Sequence, residues 1–183
     1  LTEGNDGSSP FPIGPHLARI AETAISPNWA VFVGQGTIRS EVVGADDREP
    51  TPDELDRMRA LVAEAMAQGA LGLSTGLFYV PGSFTSTEEV IELSKVAATH
   101  GGIYISHMRD EAAGLLDSVN ETIRIGEEGG LPTQLTHHKA IGPPNWGQSV
   151  RTLDLVEQAR ERGVDVSIDQ YPYTASHTGT AAL

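Results

Sequence analysis

The chain has 183 residues, 39% apolar and 20% charged, and its 12 basic and 25 acidic side chains give a net charge of −13. That balance describes a globular domain with a real core rather than a disordered segment, and so acidic a surface sets aside nucleic acid and membrane surfaces as partners. There is no cysteine, so disulfides and thiolate metal sites are excluded and any metal must be held by His and carboxylate.

No apolar run approaches the roughly 20 residues that span a bilayer, and the N-terminus lacks a signal pattern. The cytoplasm is the expected compartment. The chain starts without Met and stops at Ala181-Ala182-Leu183 with no closing element, which predicts a segment of a longer protein.

The opening residues are rich in Pro and Gly, and only Leu17 to Ala24 reads as helical there. Asn28 to Gly34 is an apolar run closed by Gly and predicts a buried strand. Gly34-Gln35-Gly36 is a lone Gly-x-Gly without a third glycine, so it reads as a tight turn rather than a nucleotide fingerprint. Thr51-Pro52-Asp53-Glu54 starts a helix, with a Thr cap, Pro in the first turn and Glu three residues on. Leu55, Met58, Leu61, Val62 and Ala65 carry its apolar face to about Gln68-Gly69.

Leu71 to Gly76 is the next strand, with small residues that predict a close approach of its backbone to a ligand. A helix begins at Thr85 to Glu89 and ends near His100-Gly101. A strand from Gly102 ends at His107, a helix covers Leu115 to Glu128, and a strand from Leu131 ends at His137. Pro143-Pro144 precedes a helix from Val150 to Arg162, and Val164 to Asp169 forms a last strand before Tyr171-Pro172-Tyr173. Alternating strands and helices predict a parallel sheet with helices outside. The polar strand ends favour a (β/α)₈ barrel over an open doubly wound sheet. A complete barrel takes about 250 residues, so about five of eight βα units are expected here.

His107 and His137 then stand at equivalent ends of consecutive strands, on the face where barrel sites gather. Neutral imidazoles there are candidate zinc ligands. His138 points the other way and is read as packing; His16 and His100 read as surface residues. Lys139 shares the side of His137 by strand alternation and suits a substrate carboxylate. Arg109 reads as a structural ion pair with Asp110, Glu111 or another loop carboxylate. Of Tyr171 and Tyr173, one hydroxyl is a candidate anion contact while the other packs. Phe78 and Tyr79 are candidates for an apolar pocket wall, and His177, in the loop after the last strand, is a candidate substrate contact.

Taken together, Gly69 to Tyr79, Ser106-His107-Met108-Arg109-Asp110-Glu111, Thr136-His137-His138-Lys139 and Asp169 to Ser176 resemble the N-acyl-D-amino-acid deacylases (D-aminoacylases) of the amidohydrolase superfamily. The resemblance implies that residues 1–183 form an interior portion of one barrel domain, with further strands and a small β-domain outside the chain. It implies zinc as cofactor with His107 and His137 as its ligands. Lys139 and Tyr171 would hold the substrate α-carboxylate, and Phe78 and Tyr79 would border the acyl or side-chain pocket. The implied reaction is hydrolysis of N-acyl-D-amino acids to a carboxylate and a D-amino acid.

The family's His-x-His, its metal-bridging residue, its catalytic aspartate and a carboxylate-clamping arginine are not found in this sequence, so the acid–base group is expected outside it and the segment alone is expected to be inactive. The family often has His where Gln35 stands and Ser where His177 stands. A cyclic-amide hydrolase of the dihydroorotase or hydantoinase kind is the alternative enzyme. A non-catalytic chain that self-associates or binds a partner through exposed barrel edges is the alternative of another class.

Overall fold

The computed structural model describes residues 1–179. Its strands are β1 (Thr2–Glu3), β2 (Ala30–Val31), β3 (Val33–Gly34), β4 (Gly72–Gly76), β5 (Ile103–His107), β6 (Thr133–Leu135) and β7 (Val166–Ile168). The helices are α1 (Ile13–Glu22), α2 (Gln35–Val42), α3 (Pro52–Ala67), α4 (Thr87–Thr99), α5 (Leu115–Gly129) and α6 (Ser149–Glu161). β3 to β7 form one parallel sheet in sequence order, and β1 pairs with β2 in parallel. Parallel neighbours require crossover connections, and helices supply them. This is the predicted succession of βα units from a (β/α)₈ barrel.

Local chemistry sets the helix ends. Thr51 and Glu54 cap the start of α3 reciprocally, with Pro52 in the first turn. Ser86 caps α4 through the Glu89 N–H. Gly130 adopts a left-handed conformation, φ 73°, that terminates α5. Leu73 and Tyr104 are fully buried in the same cluster as Met58, Val62, Val90 and Leu93, so these strand residues face the helical layer. Burying each such aliphatic side chain contributes about 1.5–3 kcal/mol. Alternation then turns Ser74, Gly76, Ile105 and His107 to the opposite, concave side.

Three expectations need correction. The strand expected over Asn28 to Gly34 breaks at Phe32, because Ala30–Val31 pairs with β1 while Val33–Gly34 pairs with β4. The turn expected at Gly34-Gln35-Gly36 is instead the start of α2. The strand expected to reach His137 stops at Leu135; His137 has a left-handed backbone, φ 43°, which no strand accommodates. No helix among the described residues is long and apolar enough to cross a membrane.

Candidate metal centre

The sheet delivers two imidazoles to one point. His107 is the last residue of β5 and pairs in register with Gly76. His137 lies just beyond β6, where the left-handed turn swings its ring over the sheet end and the Asp169 carboxylate accepts its backbone N–H. The rings meet with His137 Nε2 2.8 Å from His107 Nδ1. A third donor comes from the N-terminal segment: Asp6 Oδ1 lies 3.5 Å from His137 Nε2 and 4.0 Å from His107 Nδ1. These three atoms all fall within 4.8 Å of one another.

Asp6 reaches the centre because glycines remove the side chains that would block it. A methyl group on Gly76 would overlap the Asp6 carbonyl oxygen, one on Gly34 would overlap the Gly7 carbonyl, and one on Gly7 would overlap the Gly76 nitrogen. Gly7 also has φ +81°, which favours glycine. Ser74 on the concave face bonds to both Gly4 and Gly7 of the same segment. The small residues of β4 therefore admit the chain's own backbone, not a ligand.

The electrostatics push the pKa values of the two histidines apart. Burial, reinforced by the neighbouring His137, pushes His107 down to about 4, so it is neutral at physiological pH. His137 goes the other way: burial opposes its cation, but hydrogen bonds to Asp6 and Glu111 outweigh that and lift it to about 9. Asp6 is held below the usual carboxylate range by its hydrogen bond to His137, against the opposing effect of burial. A carboxylate with two imidazoles is a donor set for zinc without any thiolate.

A cavity of about 660 Å³ opens over this cluster, walled by Phe78, Tyr79, Ile141, Tyr171, Tyr173 and His177. Tyr79 packs 4.7 Å from the His107 ring and its hydroxyl bonds to Thr178 at 2.9 Å. Lys139 Nζ stands 5.5 Å over the Tyr171 ring and bonds to both Glu111 oxygens at 2.6 and 2.7 Å. Lys139, Tyr171, Phe78, Tyr79 and His177 thus all border the cavity of His107 and His137.

Other residues lie elsewhere. Arg109 is a structural residue, as expected, but its carboxylate is Glu121 of α5, at 2.8 Å, together with the Ser83 and Thr85 carbonyls. His138 is buried against Thr152 at 2.7 Å. Gln35 is also buried, bonded to Thr85 and Glu89. His16, expected at the surface, is largely covered and bonds to Glu3 at 2.7 Å. The sequence reading missed Asp6 altogether, although Asn5-Asp6-Gly7 follows a short strand and repeats the pattern of a ligand-type residue beyond a strand end.

A five-stranded parallel βα sheet with two histidines at its C-terminal edge, joined there by an aspartate from the N-terminal segment, is the architecture of a partial α/β barrel with a candidate metal centre. No family model matches the chain. It is 45% identical over 163 residues to a D-aminoacylase of Alcaligenes xylosoxydans xylosoxydans, an overlap of 89% of this chain and 34% of that protein. It is 38% identical over 151 residues to an N-acyl-D-glutamate deacylase of the same organism, covering 82% of this chain and 31% of that one. The crystal structure of N-acyl-D-glutamate deacylase from Bordetella bronchiseptica, complexed with zinc and a phosphonate inhibitor, superposes with a TM-score of 0.86 at 34% identity, over 94% of this chain and 41% of that chain. Over most of its length the chain is similar to N-acyl-D-amino-acid deacylases, and it spans about a third of the length of the curated relatives it matches.

Proposed function

We propose that this chain carries the metal-binding and carboxylate-binding part of a zinc-dependent enzyme that hydrolyses the amide bond of N-acyl-D-amino acids, releasing a carboxylate and a D-amino acid. The observation that carries the reading is the convergence of Asp6, His107 and His137 beside Lys139 and Tyr171. His107 and His137 hold zinc, and Asp6 joins them as a third ligand. Zinc supplies positive charge that polarises an amide carbonyl and makes water nucleophilic near neutral pH. Lys139 and Tyr171 receive the α-carboxylate, so the substrate amide is presented to the histidines. Phe78, Tyr79 and His177 border the acyl or side-chain pocket and exclude water from it.

None of the described residues is assigned as the acid–base group. Residues 1–183 make up an interior stretch of one barrel domain, and sequence beyond them provides the remaining strands, that group and a small β-domain. The partner is a small-molecule N-acyl amino acid. The test is turnover of N-acetyl-D-amino acids against their L-enantiomers and against dihydroorotate and hydantoins, using zinc-loaded full-length protein. Hydrolysis of the linear D-substrates supports the reading; turnover of cyclic amides alone would replace it with the cyclic-amide alternative.

A further inference from the structure

We propose that Glu111 is a positioning residue of the metal centre: it holds the His137 ring in the tautomer that leaves Nε2 free for the metal, and it also anchors Lys139. The role rests on the metal-centre reading above.

Glu111 is buried, with 5% of its side chain exposed, in the loop after β5. The loop is fixed locally: the Asp110 carboxylate accepts the N–H groups of Ala112 and Gly114, and the Glu111 carbonyl accepts the Ile141 N–H at 2.8 Å. Glu111 Oε1 lies 3.2 Å from His137 Nδ1, while both its oxygens accept hydrogen bonds from Lys139 Nζ. The opposite ring atom, Nε2, faces Asp6 and His107.

An imidazole that binds a metal through Nε2 keeps its proton on Nδ1, and that proton requires an acceptor. Two groups stand within bonding distance of Nδ1 among the described residues, Glu111 Oε1 and Lys139 Nζ. The ammonium, 2.8 Å away, can only donate. Donating to Nδ1 would place the ring proton on Nε2 and block ligation. Glu111 is therefore the one group there that favours the ligating tautomer, and by drawing Lys139 onto both its oxygens it weakens the group that opposes it. A buried ion pair alone would not require this double engagement.

The experiment measures zinc affinity by chelator competition on metal-stripped full-length protein. Glu111→Met removes the acceptor and is expected to weaken zinc binding by about 10- to 100-fold. Lys139→Met removes the competing donor and is expected to leave zinc affinity within about threefold of the parent. The double variant Glu111→Met with Lys139→Met leaves no unpaired buried charge, so it carries the test even where the single Glu111 variant fails to fold. It is expected to bind zinc at least about tenfold more weakly than the parent, because the acceptor on Nδ1 is still missing. Recovery of parental affinity in the double variant would show that Glu111 only balances the charge of Lys139, and overturns the proposal. His137→Ala is the reference: loss of zinc there, with undiminished affinity in the double variant, overturns the role of Glu111 alone. Retention of zinc by His137→Ala overturns the centre itself and with it this role.

Discussion

Asp6 Oδ1 stands 3.5 Å from His137 Nε2, although the two residues are far apart in sequence. The segment after β1 packs across Gly34, Ser74 and Gly76 and so meets the turn after β6 at the sheet's C-terminal edge. If the contact marks a ligand set, Asp6→Asn, which keeps the shape and removes the charge, lowers zinc affinity at least about tenfold. The secondary structure stays unchanged, because Asp6 is half exposed and belongs to no helix or strand. Chelator competition and circular dichroism together check this; equal zinc affinity in the variant would leave two histidines as the only ligands of this segment.

Gly76→Ala probes how Asp6 gets there. The added methyl group would press on the Asp6 carbonyl, and overpacking of this kind costs about 1–3 kcal/mol. The expected result is a lower denaturation midpoint together with weaker zinc binding, since the segment that moves carries the ligand. Gly44→Ala is the control: its φ of +82° strains an alanine, but the new methyl group meets no neighbouring atom. It is expected to lose stability without losing zinc.

The sequence reveals the helices that cap themselves. α3 carries Thr51, Pro52 and Glu54 at its start, so its boundary is written in local chemistry. His107 was legible for a related reason: it closes an apolar strand, and the strand's phase fixes the side it faces. β1 and α2 were not legible. Thr2–Glu3 is a strand only because Ala30–Val31 is beside it, and Gln35 and Gly36 are poor helix formers that tertiary contact overrides. Lys139 Nζ lies 2.8 Å from His137 Nδ1, but strand alternation does not put it there: the strand ends at Leu135 and a left-handed turn does the placing. Asp6 was invisible because its position depends on glycines far away in sequence.

The two histidines give zinc binding a pH signature. Metal-free His137 holds its proton up to about 9, and zinc must displace that proton. Apparent zinc affinity is therefore expected to rise roughly tenfold per pH unit between about pH 6 and 9. The same shift affects metal-free folding. A histidine whose folded value lies above its ordinary 6.5 contributes stability in full below 6.5 and loses it as pH rises through about 9. His107, held down to about 4, contributes above 6.5 and loses that contribution as pH falls toward 4. The pair thus favours a stability maximum near pH 6.5 in the metal-free protein. Titrating zinc at several pH values, with parallel thermal melts, checks both; a flat zinc affinity from pH 6 to 8 would count against a protonated His137.

The buried pair Arg39–Glu89 makes a prediction that is independent of the metal. Arg39 is fully buried and Glu89 nearly so. Arg39 also donates to the carbonyls of Asp46 and Arg48 at 3.2 and 2.6 Å, which ties the segment between α2 and α3 to α4. Arg39→Met strips Glu89 of its counter-charge, though Gln35 still donates to it at 2.8 Å, and leaves the two carbonyls without that donor. An uncompensated buried charge costs about 3–5 kcal/mol, whereas replacing both ions by apolar groups of similar size is often neutral. Arg39→Met is therefore expected to destabilise by about that amount in urea melts, and adding Glu89→Met is expected to recover most of the loss. The carbonyls keep the recovery incomplete. A single variant that costs less than about 1 kcal/mol would mean that water reaches Glu89, and the pair would then not be the buried strut described here.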